Sequence, residues 1–219
     1  MKLRKLLLRV VKWLLSLHYK IKITGEELLQ DGATHLVLPN HSAYIDPILL
    51  FSYLWWLPLR PMTDEKFYHH WLYGKILKLA HAIDVPNMTK SVMSREERVK
   101  LASKLSQAAI NNLKNGNEIC FYPSGHVKLI DREVIGNRRL AYDVCREVPY
   151  GVKIILCRMC GLEESVWSKL KPKSWAWRRK VTLCFEDHTE ELKELAKKLT
   201  RREFNQHLED WYNKELPKD

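Results

Sequence analysis

No uncharged apolar run in this chain approaches the ~20 residues that a membrane-spanning helix needs, so the sequence predicts no transmembrane segment. It has no low-complexity tract and no internal repeat, which argues against a solenoid or a disordered chain. Its five cysteines are an odd number scattered through apolar stretches, a usage that suits a reducing compartment better than a disulfide frame. Cys157 and Cys160 form a lone C-x-x-C inside a strand-like run. With no second pair and no nearby His to complete a zinc set, they are expected to be buried thiols. The adjacent His69 and His70 would point apart on a helix, so they too predict no metal site. Nothing matches the G-x-S-x-G elbow of serine hydrolases. No acidic residue precedes Glu26.

What is present is a chain of 219 residues, 46% apolar, enough for one globular domain with a terminal extension. Its 37 Lys and Arg outweigh 26 Asp and Glu, giving +11. Such an excess favours anionic partners: nucleic acid, acidic lipid headgroups or an acidic carrier protein. Of eight Trp, several adjoin apolar runs (Trp13, Trp55, Trp56, Trp71), and Trp175 and Trp177 lie among the basic residues of 169–180. Trp beside Lys and Arg suits a membrane–water interface, although base stacking uses the same residues.

Residues 1–18 read as an amphipathic helix. Lys2, Lys5, Arg9 and Lys12 share one face, with Leu3, Leu7, Val10, Leu14 and Leu17 opposite. That pattern predicts a helix in the membrane interface, apolar side down and basic side toward phosphates; the alternative is a first helix packed on the domain core. Charges interrupt the apolar region and no small-residue cleavage site follows, which argues against a signal peptide. Residues 19–219 then form the main domain. Strands are predicted at Tyr19–Thr24, at Thr34 onward, at Leu59–Thr63, and as a short strand or turn at Ile83–Val85. Further strands fall at Glu118–Tyr122, Gly151–Met159 and Lys180–Glu186. Helices are predicted at Pro47–Trp56, Phe67–Ala80 and Ser94–Asn115, with a capping box at Ser94 and Glu97, and twice in the last thirty residues. Strands alternating with helices give an α/β fold, a mixed sheet with crossover helices.

The chain is organised around residues 34–50, THLVLPNHSAYIDPILL. An apolar strand breaks at Pro39-Asn40, presents His41, and reaches the helix-start signal Asp46-Pro47 five residues later. His41 therefore sits on a loop at the carboxyl edge of the sheet, where α/β proteins handle ligands. A neutral imidazole can take a proton from a hydroxyl when a carboxylate holds its other nitrogen, and four intervening residues let Asp46 reach His41. The alternative is that Asp46 only caps its helix. A second strand runs into Pro123-Ser124-Gly125-His126. His126, Lys128, Arg132, Arg138 and Arg139 crowd this turn, a cation-rich nest suited to phosphate or else a loop with solvated surface charges.

Together, Asn40-His41-Ser42-Ala43-Tyr44-Ile45-Asp46-Pro47 and Phe121-Tyr122-Pro123-Ser124-Gly125 resemble the glycerophospholipid acyltransferase family, which includes the lysophosphatidic acid acyltransferases. The resemblance runs from about Tyr19 to Glu186. It implies acyl transfer from acyl-CoA or acyl carrier protein to a lysophospholipid hydroxyl at a membrane surface. His41 would be the general base of an HX4D motif and Asp46 its orienting partner, with no metal or bound cofactor. Two departures stand out. Ser124 stands where the family has Glu and His126-Val127 where it has Thr-Arg, and residues 83–87 lack the family's Arg, with Lys90 the nearest cation. The acceptor contacts would then fall to Ser124, Gly125, His126, Lys128, Arg138 and Arg139, and the turn at Ser124-Gly125 is a candidate for oxyanion donors. The expected location is peripheral or monotopic, on the cytoplasmic face of a membrane, with no nucleic acid partner. Two rivals accompany this reading: a serine hydrolase using Ser42 or Ser124, and a non-catalytic or degenerate basic lipid-binding protein.

Overall fold

The computed structural model describes residues 2–69, 71, 73–86 and 94–214. His70 and Lys90, considered above, lie outside the described residues. Seven strands form one sheet: β1 (Tyr19–Thr24), β2 (Thr34–Pro39), β3 (Arg60–Asp64), β4 (Ile83–Val85), β5 (Ile119–Cys120), β6 (Val152–Cys160) and β7 (Arg179–Asp187). Their order is β1-β7-β6-β2-β5-β3-β4. All neighbours are parallel except β6 and β7, so the fold is the mixed α/β sheet expected from the sequence. The antiparallel step reverses β7 and β1 relative to β2. The start of β1 therefore lies at the edge where β2 ends.

The period-2 alternation of each strand separates two cores. Leu36, Leu38, Val152, Ile154 and Leu156 face one core, shared with α5 (Arg95–Lys114), α6 (Leu140–Glu147), α7 (Thr189–Lys198) and α8 (Arg201–Asn213). Val37, Ile155, Cys157 and Met159 face the other, with α2 (Asp46–Tyr53) and the inner side of α1 (Lys2–His18). Because helices cover both faces, β2 is buried along nearly its whole length and reads as a continuous apolar run.

α5 starts at the capping box foreseen at Ser94, with both reciprocal bonds to Glu97 formed. The segment predicted as one helix from Phe67 to Ala80 contains two short ones, α3 (Glu65–Tyr68) and α4 (Tyr73–Leu79). α6 was not foreseen; its buried side is only Ala141, Val144 and Cys145, a stripe too small to stand out in sequence. Of the C-x-x-C pair, Cys157 is buried as expected and Cys160 is half-buried; burial pushes the Cys157 thiol well up and that of Cys160 to about 11.

The first helix turns its apolar stripe outward, as an interfacial helix would, but the charged side expected toward phosphates rests on the domain. Cations make much of the contact. Arg4 donates to the Leu59 carbonyl at 2.9 Å, Arg9 stacks on the Trp55 ring at 4.0 Å, and Lys12 sits over Tyr53 at 4.9 Å. The stripe Leu3, Leu7, Val10, Leu14 and Leu17, joined by Leu6 and Trp13, is exposed. Cation–π and carbonyl contacts hold the charged side inward.

Candidate active site

β2 ends in Pro39, and Asn40 continues its pairing with the end of β6. The Asn40 N–H donates to the Cys157 carbonyl at 3.2 Å, and its side chain spans the Met159 peptide, accepting from N–H at 2.6 Å and donating to C=O at 3.0 Å. This fully satisfied, buried amide fixes where the chain leaves the sheet, and His41 is the next residue.

His41 Nδ1 lies 3.0 Å from Asp46 Oδ2. The same oxygen accepts the Ala43 N–H at 2.9 Å. Asp46 is already the first residue of α2, and its carboxylate turns back into the loop. The capping alternative is therefore not what the side chain does. The Asp46 side chain is fully buried, whereas His41 keeps 14% of its side chain exposed, with Nε2 on the ring edge away from the Asp46 contact. Burial raises the Asp46 carboxyl above its usual value; the hydrogen bond from His41 opposes that shift. One face of the imidazole stacks on Tyr122, with ring centroids 4.1 Å apart and 23° between planes. Burial lifts the Tyr122 phenol well above its ordinary range, so the ring stays neutral. Imidazole and carboxylate are held from three sides in a geometry suited to proton abstraction at Nε2.

The second constellation is only partly brought to this point. Gly125 sits in the left-handed region at φ 64°, and its N–H donates to the Tyr122 carbonyl at 2.9 Å. That donor closes the turn, so the structure does not favour the Gly125 N–H for an oxyanion. Ser124 is buried and donates to the His126 carbonyl at 3.0 Å. His126 faces the Val127 carbonyl through Nδ1 at 3.1 Å, and burial lowers its pKa. Lys128 is buried and pairs with Glu163 at 3.7 Å, while its N–H donates to the His41 carbonyl at 2.8 Å. Arg139 is drawn away by Asp143 at 3.2 Å. Arg138 is exposed, and its guanidinium carbon is 3.7 Å from where a Cβ on Gly125 would stand. A side chain at Gly125 would meet both this contact and an unfavourable φ. Of the six acceptor candidates, Arg138 lies against the turn on an exposed residue, although packing there partly desolvates its guanidinium and lowers its pKa.

Three residues of this centre escaped the sequence reading. Glu133 accepts the His41 N–H at 3.3 Å, Glu163 accepts the Ser42 hydroxyl at 3.1 Å, and the Trp167 carbonyl accepts the Tyr44 N–H at 3.1 Å. All three arrive on loops, where no periodic signal marks them. Both candidate serine nucleophiles are committed elsewhere, Ser42 to Met159 and Glu163 and Ser124 to His126. Neither forms the serine–histidine hydrogen bond of a hydrolase triad. Among the described residues no three His, Cys, Asp or Glu side chains gather to hold a metal, and no helix is long and apolar enough to cross a membrane. A cleft of about 540 Å³ lined by Leu29, Ala33, Trp56 and Glu118 opens at the other end of the sheet, away from His41.

The fold and the pair at its edge define an α/β protein with a histidine bonded to a buried carboxylate where β2 leaves the sheet. A family model described as Acyltransferase matches residues 20–149, more than half of the chain. The chain belongs to the acyltransferase family and is an acyltransferase, in keeping with the resemblance carried by its two motifs. Among solved structures it is similar to the 1-acyl-sn-glycerophosphate (LPA) acyltransferase PlsC of Thermotoga maritima. The TM-score is 0.57, with 94% of this chain and 82% of that one covered at 16% identity. At that identity the likeness concerns the fold, which both chains share.

Proposed function

We propose that this protein moves a fatty acyl group from a thioester, acyl-CoA or acyl carrier protein, to the hydroxyl of a lysophospholipid at a membrane surface. The observation that carries the reading is the 3.0 Å contact between Nδ1 of the partly exposed His41 and the buried Asp46 carboxylate. The acceptor hydroxyl gives its proton to His41 Nε2 as its oxygen attacks the thioester carbonyl. The tetrahedral centre then expels the thiolate, which takes the proton back from the imidazolium. Asp46 holds the ring in the tautomer that leaves Nε2 free and stabilises its transient positive charge. Tyr44, Ile48 and Trp167, exposed around this loop, offer apolar surface for the acyl chain. Arg138 supplies the charge that a phosphate on the acceptor would meet.

Membrane contact is supported by where the exposed aromatics lie. His18, at the end of α1, touches the rings of Trp175 and Trp177 at 4.8 and 5.5 Å. Strand directions set this cluster at the edge of the sheet that carries His41. Lys169, Lys171, Lys173 and Arg178 are exposed around it. Trp side chains at headgroup depth, flanked by cations, with the apolar stripe of α1 beside them, form an interfacial surface for an anionic leaflet, the cytoplasmic face of a membrane.

The test is purified protein with an acyl thioester and a panel of lysolipids differing in headgroup. Wild-type protein acylates at least one of them and His41→Ala loses that turnover. Retained turnover in His41→Ala would refute the assignment.

A further inference from the structure

Glu133 is 1% exposed, and among the described residues its Oε1 has no hydrogen-bonding partner. A buried carboxylate left half satisfied is costly, so its position calls for a reason beyond packing. Its other oxygen accepts the backbone N–H of His41. Lys128, the cation near it, donates its own N–H to the His41 carbonyl at 2.8 Å. The N–H and C=O of His41 are thus held by the Glu133 carboxylate and by the Lys128 backbone, while the Lys128 ammonium pairs with Glu163. Ser124 gives the Pro-Ser-Gly turn no charge, and Glu133 brings a carboxylate there from nine positions downstream.

Glu133 is itself held by a stripe on α8. Asn213 accepts the Glu133 N–H at 2.7 Å and donates to its carbonyl at 3.0 Å. Glu209 accepts the N–H groups of Ile135 and Gly136, both at 2.7 Å. Asn205 donates to the Gly136 and Arg138 carbonyls at 2.8 Å, and Arg201 to the Asn137 side chain at 2.8 Å. Residues 201, 205, 209 and 213 recur every fourth position, one face of the helix, and all bind the 133–138 loop.

We propose, resting on the acyl-transfer reading above, that Glu133 is a positioning residue for the base: clamped by α8, its carboxylate fixes the His41 backbone and supplies a second negative charge behind the imidazole. The groups facing it are His41, Ser124 and Lys128, with the phenols of Tyr122 and Tyr212; Asp46 lies beyond His41 and Glu163 beyond Lys128.

The experiment compares wild type, His41→Ala, Glu133→Gln and Asn213→Ala in full-length protein, using an acyl-CoA and the lysolipid accepted by wild type. Glu133→Gln should unfold at a temperature no lower than wild type, because it removes a buried charge. Its kcat should fall about 10- to 100-fold, the scale expected for a misplaced catalytic group, with little change in KM. Without the carboxylate the acid limb of its pH–rate profile should move to lower pH. Asn213→Ala, which frees the loop and keeps the charge, should lower kcat in the same direction and leave that limb in place. Wild-type kcat and pH profile in Glu133→Gln, beside an inactive His41→Ala, would overturn this inference alone. If Glu133→Gln does not fold, unchanged kcat in Asn213→Ala overturns it. No transfer by wild type to any lysolipid removes both readings.

Discussion

Replacing Asp46 with Asn separates the charge of this residue from its shape. The Ala43 N–H at 2.9 Å selects the amide oxygen for the Oδ2 position, so the His41 Nδ1–H keeps an acceptor. What disappears is the negative charge that meets the imidazolium as it forms. For unit charges about 4 Å apart at an effective dielectric near 20 that attraction is about 4 kcal/mol, or roughly a thousandfold in rate. The new NH2 falls where Asp46 Oδ1 is buried without a partner, a penalty of about 1–3 kcal/mol. Against this, burial of the wild-type carboxylate raises its pKa, and the sign follows from linkage. Where the folded pKa exceeds the unfolded one, the native state binds more protons and wild-type stability falls as pH rises from the usual carboxylate value through the raised one. Asp46→Asn should therefore improve relative to wild type in thermal unfolding as pH is raised from about 4 to 8, while thiol release with an acyl-CoA drops roughly a thousandfold. Activity within tenfold of wild type would refute the argument that Asp46 acts through its charge.

Two further outcomes follow from the surface. Trp13→Glu with Leu14→Glu places charge on the exposed stripe of α1 and should release the protein from anionic vesicles in a flotation assay, with its circular dichroism unchanged; undiminished flotation would count against this stripe as the docking face. Arg138→Gln should raise KM for a phosphate-bearing lysolipid about tenfold with kcat nearly unchanged, the cost of about one charge-assisted contact; an unchanged KM would leave Arg138 out of acceptor binding.

The pairing of His41 with Asp46 was legible because they lie five residues apart on one loop between a buried strand and a helix start. Local geometry alone brings them together. The alternation of strands with helices likewise marked an α/β sheet with crossover helices. Glu133 and Glu163 were hidden for the opposite reason. They reach His41 and Ser42 across 92 and 121 positions, on loops whose paths are fixed by α8 and by the β6–β7 connection. Arg138 and Arg139 are equivalent in sequence, yet an (i, i+4) pairing with Asp143 removes one from the site. In α1 the amphipathic period separates two faces without saying which one docks on the domain. Trp55 and Tyr53, on a different helical segment, settle that by accepting cations.

Direct transfer through a histidine base is the claim on which the other assignments rest, and a single-turnover experiment with a labelled acyl thioester tests it most directly. The expected result is label passing from thioester to lysolipid hydroxyl with none trapped on the protein, and a fall of about a thousandfold or more when His41 is Ala. Label recovered on Ser42 or Ser124, or an undiminished rate in His41→Ala, would contradict it.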